Sequence, residues 1–224
     1  MNTSAFWERF WRASGVQFIA LCVIAYVVYG DQPQIGTSPD ALAAFYRDHQ
    51  ARILIAAVIS GLAVLYLMWF AAAIRVTLAD AGKDGWGAAA TASSEAVGAL
   101  FLLLTAINVG LAYAIDGPGN QALLSGLNSV WWAAFVMSSF VRAMLIMSAA
   151  FGFWRAGLIS NALFSVGLAA VVLAVLGGTT WVSGGVWAPD GVYSRLIAPG
   201  IGLLWAVVVS WVLLTKSPLA RAGW

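Results

Sequence analysis

Near the middle of the apolar run from Gly126 to Trp154 stands a single cation, Arg142. A charge at that depth in a bilayer costs about 2.5–3.5 kcal/mol on insertion scales, so it requires an inward face, a partner or a wet cavity. On a helix advancing about 100° per residue, Arg142 shares its face with Asn128, Trp131, Phe135, Ser138, Ile146 and Ala149. That polar stripe either lines a hydrated crevice or packs inward with Arg142 bonded to an acid and to carbonyls. Ser148, Ala149, Ala150 and Gly152 favour close helix packing nearby.

The acid available inside a span is Glu95. Its helical face carries Thr91, Gly98, Leu102, Ala106 and Val109, with Asn108 pointing nearly the opposite way. At ~1.5 Å per residue Glu95 lies about 13 Å from Trp86 and Arg142 about 18 Å from Trp154, so the depths are compatible with a pair. Side chains lean toward their own helix N-terminus, which tilts these two apart and calls for a bridging water or a long arginine reach. The candidate intramembrane polar site is Arg142, Glu95, Asn128 and Ser138.

Several chemistries are excluded by counting. The lysines, Lys83 and Lys216, both sit in loops, so no Schiff base to a retinal-like cofactor forms inside a bundle. The one histidine, His49, lies outside the spans, which removes bis-histidine haem and the usual histidine-built metal sites. There is no Gly-rich phosphate loop of the Walker type and no Ser, His, Asp set. No catalytic, cofactor-binding or metal-ligating residue is assigned, and the balance leans away from an enzyme. Asp31, Asp40, Asp48, Asp116 and Asp190 gather on one side without recognisable ligand spacing and read as a solvated rim.

The elements that must hold Arg142 follow from composition. Of 224 residues 62% are hydrophobic and 9% charged, and mean hydropathy is +0.89. Ordinary soluble domains carry about 25% charged residues, so the solvent here is lipid. A net charge of +2 offers no basic face for nucleic acid. The lone cysteine, Cys22, permits no intramolecular disulfide.

Residues 1–14 mix Phe6, Trp7, Phe10 and Trp11 with Glu8, Arg9 and Arg12, suiting an interfacial helix that leads into an uncleaved first span. Ser38, Pro39 and Asp40 form a helix start: a capping hydroxyl, proline at the first position and an acid at the positive dipole end. No breaker follows before Ile74, which predicts one long helix standing partly above the lipid. The loop Asp116 to Asn120 makes the third and fourth spans antiparallel neighbours. Residues 177–195 are a Gly- and Trp-rich loop before the last span.

Together these predict an all-α polytopic membrane protein: a single transmembrane domain over 1–224 forming a six-transmembrane-helix bundle. The spans fall at about 13–30, 53–75, 88–115, 126–154, 157–176 and 196–214. Arg9, Arg12, Arg75, Lys83, Arg155, Lys216 and Arg221 collect on one side, against Arg47, Arg52 and Arg195 on the other. Seven against three places both termini in the cytoplasm.

The run Phe45, Tyr46 to Arg52, Ile53, Leu54, followed by Trp69, Phe70 and Arg75, resembles a group of uncharacterised multi-pass integral membrane proteins of high-GC Gram-positive bacteria. The resemblance covers mainly the first two or three helices. It implies a bacterial inner membrane and supplies no active residues. The expected activity is that of a small-molecule or ion permease or its accessory subunit. The alternative is a sensory or scaffold protein that binds a partner through its helices, and a lipid-acting enzyme is third. Its partners are then the lipid bilayer and a second membrane protein or further copies of the chain.

Overall fold

The structure, a computed structural model, describes residues 3–114 and 121–215. The Asp116–Asn120 loop, Lys216 and Arg221 lie outside the described residues. In chain order the helices are α1 (Thr3–Arg12), α2 (Ser14–Tyr29), α3 (Pro39–Asp48), α4 (Gln50–Asp80), α5 (Asp84–Tyr113), α6 (Gln121–Arg155), α7 (Asn161–Gly177) and α8 (Ala198–Thr215). A π-helical turn over Tyr193–Ile197 leads directly into α8. Among the described residues there is no strand.

Four helices are long and apolar enough to cross a membrane: α4, α5, α6 and the continuous Tyr193–Thr215 segment. The α1–α2 pair, bent by 53°, makes a fifth when its two halves are counted as one span. α7 is a shorter apolar helix of 17 residues. Large apolar side chains stand exposed along the long helices, among them Val27, Val58, Leu65, Met137 and Leu204. A lipid-facing surface requires such side chains, and the mixed polar surface of a soluble domain does not.

The helices form a closed ring. α2 and α5 flank α4, α5 packs on α6, α6 on α7 and α7 on α8, and α8 returns to α2. Close approach is set by small residues. A Cβ added to Gly152 would fall 2.6 Å from Leu78, so glycine there lets α6 seat on α4. The main apolar core lies toward this end and includes Leu67, Ile74, Leu78, Ala150, Phe153 and Leu213. A smaller cluster of Leu42, Tyr46, Ile53, Leu111 and Leu124 closes the opposite end.

Three expectations need correction. The helix from Pro39 does not run on into α4: it stops at Asp48, and α4 starts at Gln50. His49, at φ −114° and ψ 12°, is the joint, and its Nδ1 lies 2.8 Å from the Phe45 carbonyl it caps. The break frees α3 to fold onto α6 and bury Leu42 and Tyr46, which a coaxial helix standing in water would leave wet. The fifth helix begins at Asn161 and not at Gly157. Gly157 takes φ +68° in the turn, and Ser160 caps the helix by accepting from the Leu163 N–H at 3.3 Å. The last span starts three residues early, at Tyr193. Pro199 has no N–H to give the Arg195 carbonyl and its ring crowds that oxygen, which accounts for the π turn. The Ser38 start stands as expected, with the hydroxyl accepting from Ala41 N–H and Pro39 in the first turn.

Candidate functional site

Inside the ring, between the two apolar clusters, lies a cavity of about 490 Å³ walled by α2, α4, α5, α6 and α8. The α6 wall carries Trp131, Phe135, Ser138, Arg142, Ile146 and Ala149 from the stripe that includes Arg142, together with Trp132 and Leu145 from beside it. Periodicity alone selects this face, because residues three, four and seven apart on a helix point the same way.

Arg142 is half-buried on this wall and bonds to its own helix. Nη2 donates to Ser139 Oγ at 2.7 Å and to the Phe135 carbonyl at 3.4 Å, while Nε reaches the Ser138 carbonyl at 3.4 Å. The guanidinium carbon sits 5.2 Å from the Phe135 ring centre, in the range of a cation–π contact. All these partners are N-terminal to Arg142, the direction in which helical side chains lean. Nη1 has no partner among the described residues, nor is it among the buried unpartnered atoms, so it faces the cavity.

Glu95 does not meet Arg142. It is exposed on the outer face of α5, and no ion pair joins the two. The reason is helical rotation. Leu104 on the cavity wall is nine residues from Glu95, which at about 100° per residue is half a turn. The α5 side that reaches the cavity carries Val97, Phe101, Leu104 and Asn108. Compatible depth was therefore insufficient, since rotation decides which side chain enters.

The two remaining candidates also separate. Ser138 lines the cavity, with its hydroxyl donating to the Phe135 carbonyl at 2.6 Å. Asn128 belongs to a different cluster, which sequence reasoning missed. Its Oδ1 accepts from Gln32 Nε2 at 3.0 Å, and its Nδ2 donates to the carbonyls of Pro33 and Gln34 at 3.3 and 3.2 Å. Gln32 Nε2 also reaches Tyr46 Oη at 3.2 Å, while Tyr29 donates to Gln32 Oε1 at 2.5 Å. Trp132 Nε1 adds a bond to the Pro33 carbonyl at 2.9 Å. Burial pushes the Tyr46 hydroxyl above its ordinary pKa, against the pull of Tyr29 and Gln32. The available signal was Pro33 within a helix-breaking loop, whose carbonyls need donors from somewhere.

The cavity's end near this network carries a bridge between elements. Arg195 Nη2 lies 2.6 Å from Asp31 Oδ1, and both residues line the cavity. Asp190 Oδ2 accepts from Ile35 N–H at 3.0 Å, tying the two loops at this end. Two wall residues hold buried polar atoms without partners among the described residues, Asn108 Oδ1 and Trp205 Nε1. The thiol of Cys22 is on the α2 wall. No family model, curated protein or solved structure matches the chain.

Proposed function

We propose that the chain is a multi-pass protein of the bacterial cell membrane that binds a small molecule within its helix bundle, as a permease or as the ligand-binding subunit of one. The observation that carries this reading is the intramembrane cavity with the free Nη1 of Arg142 turned into it. Its volume falls within the ~300–1,000 Å³ usual for small-molecule sites, and its wall has the usual mix of apolar surface and few polar groups. An arginine without an acid partner is costly in a bilayer, and structural glue would pair it.

The reading takes six crossings, with α7 as the fifth and both termini cytoplasmic. Arg9, Arg12, Arg75, Lys83 and Arg155 fall at one end of the bundle, which supports that orientation. At about 26 Å, α7 is close to the ~30 Å hydrocarbon thickness. Cysteines placed at Gly85 and Ser183 in a Cys22→Ser background test it: Ser183→Cys labels from outside intact cells and Gly85→Cys does not.

Ligand binding is tested with the purified chain in nanodiscs. Gly202 lines the cavity and a Cβ built on it meets nothing within 4 Å, so Gly202→Phe places a ring in the open space. Native mass spectrometry of the wild type shows a co-purifying small molecule that Gly202→Phe lacks. Identical spectra for both proteins would defeat the proposal.

A further inference from the structure

We infer that the occupant of the cavity is a single-chain amphiphile with an anionic head held by Arg142 and a hydrocarbon tail lying along the apolar wall. This deepens the small-molecule reading above and rests on it.

Charge balance comes first. The carboxylate among the cavity's residues is Asp31, and it is taken by Arg195 at the end of the cavity. Those two charges cancel. Arg142 is left as a cation facing low-dielectric space, bonded to neutral oxygens of its own helix. A monoanion removes the imbalance, whereas a neutral solute leaves it and a cation doubles it. The guanidinium's free N–H edge suits a carboxylate or a phosphate monoester oxygen.

Shape comes second. The α6 wall runs from Trp131 to Ala149, about 27 Å along the helix. A volume of about 490 Å³ spread over that length is a slender channel. It fits one alkyl chain better than a compact polar solute or a two-chain lipid. Most of the wall is apolar, built from Leu, Ile, Val, Phe, Ala and Trp, as a tail requires.

Access comes third. Val23 and Tyr26 of α2 and Leu196 of the turn before α8 line the cavity and are each about half exposed. Between them Gly200 and Gly202 present no side chain, and a Cβ on either meets nothing within 4 Å. The seam between α2 and α8 is therefore the thin part of the wall, and it opens on the surface that faces lipid. An amphiphile dissolved in the bilayer enters there without crossing water.

The test is a native mass spectrometry titration of the full chain with four single-chain probes of equal length and one two-chain lipid. The probes are a 16-carbon carboxylate, the monoalkyl phosphate, the alcohol and the trimethylammonium, alongside phosphatidylglycerol. The carboxylate and phosphate bind at least tenfold tighter than the alcohol, and the trimethylammonium does not bind. Arg142→Gln removes the preference for the anions, and Arg142→Lys keeps it in weakened form. Lysine serves as the second variant should glutamine prevent folding.

Equal affinity for carboxylate and alcohol in the wild type overturns the anion assignment while leaving a cavity that binds small molecules. Phosphatidylglycerol binding tighter than the single-chain anions overturns the single-chain assignment. If no probe binds and Gly202→Phe behaves as the wild type, the inference falls together with the small-molecule reading itself.

Discussion

Two polar clusters lie along α6, fourteen residues and about 21 Å apart, and they are completed to different degrees. Around Asn128 both the amide N–H groups and the amide oxygen are used, and its partners, Gln32, Pro33 and Gln34, all come from the α2–α3 loop. Around Arg142 the bonds are to the same helix, one N–H edge is free, and Asn108 on the facing wall keeps an unpartnered oxygen. A saturated buried network fixes a fold, since each member would cost more unpaired than paired. An unsaturated one has capacity left for a ligand. On the proposed reading Asn128 is structural and Arg142 binds the ligand, although both sit on what the helical wheel draws as one stripe.

The most damaging substitution is then expected at Asn128. Asn128→Leu removes three hydrogen bonds and leaves Gln32 and two carbonyls short of partners, at a cost of about 3 kcal/mol. For a chain of this size that corresponds to a fall of roughly 6–12 °C in Tm. Thermal unfolding in detergent checks it, and a Tm within about 2 °C of the wild type would dissolve the distinction between the clusters.

How far these roles are legible in sequence differs between the two. Helix placement and the cavity face of α6 follow from apolar runs and the 3.6-residue period, so Arg142 and Ser138 are found without coordinates. The rotation of α5 is not, because Glu95 and Asn108 are equally good inward candidates until packing against α4 chooses. In that packing Gly98 sits against Val64 of α4, while Glu95 is exposed and Asn108 is buried. The Gln32 network joins residues 96 apart in sequence, and no local spacing encodes such a contact. The break at His49 is equally silent, since it arises from burial of α3 on α6 and not from a helix-breaking residue.

A smaller effect sharpens the same comparison at Tyr46. Tyr46→Phe removes one acceptor from Gln32, which still holds Asn128, so about 1 kcal/mol is expected. The pH dependence is more telling. Burial raises the Tyr46 pKa in the folded protein, so its stabilising share is complete below the unfolded value near 10 and is lost as pH rises beyond it. Between pH 9 and 11 the wild type therefore loses more stability than Tyr46→Phe. Parallel alkaline curves for the two proteins would show that the hydroxyl is not enclosed by the network.

The Arg142 side of the comparison predicts near-silence in stability. Arg142→Leu and Glu95→Leu change stability by less than about 1 kcal/mol each, because no buried pair is broken. Residues without contact combine additively to within about 0.5 kcal/mol. The double-mutant cycle in detergent measures this directly. Strong coupling, with the double variant recovering what each single variant loses, would return Arg142 to a structural role.

The smallest stability effect is expected at the end of the cavity, where stability and access part company. Asp31 is largely exposed and its partner Arg195 half-buried, so Asp31→Asn costs well under 1 kcal/mol once solvent screening is counted. The bridge nevertheless ties the α2–α3 loop to the turn before α8 across the cavity's edge. Tyr26 Oη also reaches Asp31 Oδ1 at 3.4 Å, adding α2 to the same junction. Loosening this junction lets the wall beside it open more often, and the natural thiol of Cys22 on that wall reports the opening. A small thiol reagent applied to the otherwise unaltered protein labels Cys22 faster in Asp31→Asn than in the wild type, and Gly202→Phe slows labelling in both. Raising the salt concentration speeds the wild type toward the Asp31→Asn rate, because an exposed ion pair weakens within a Debye length of about 8–10 Å. A labelling rate that ignores both the substitution and the salt would mean that the reagent enters elsewhere and that the Asp31–Arg195 bridge guards nothing.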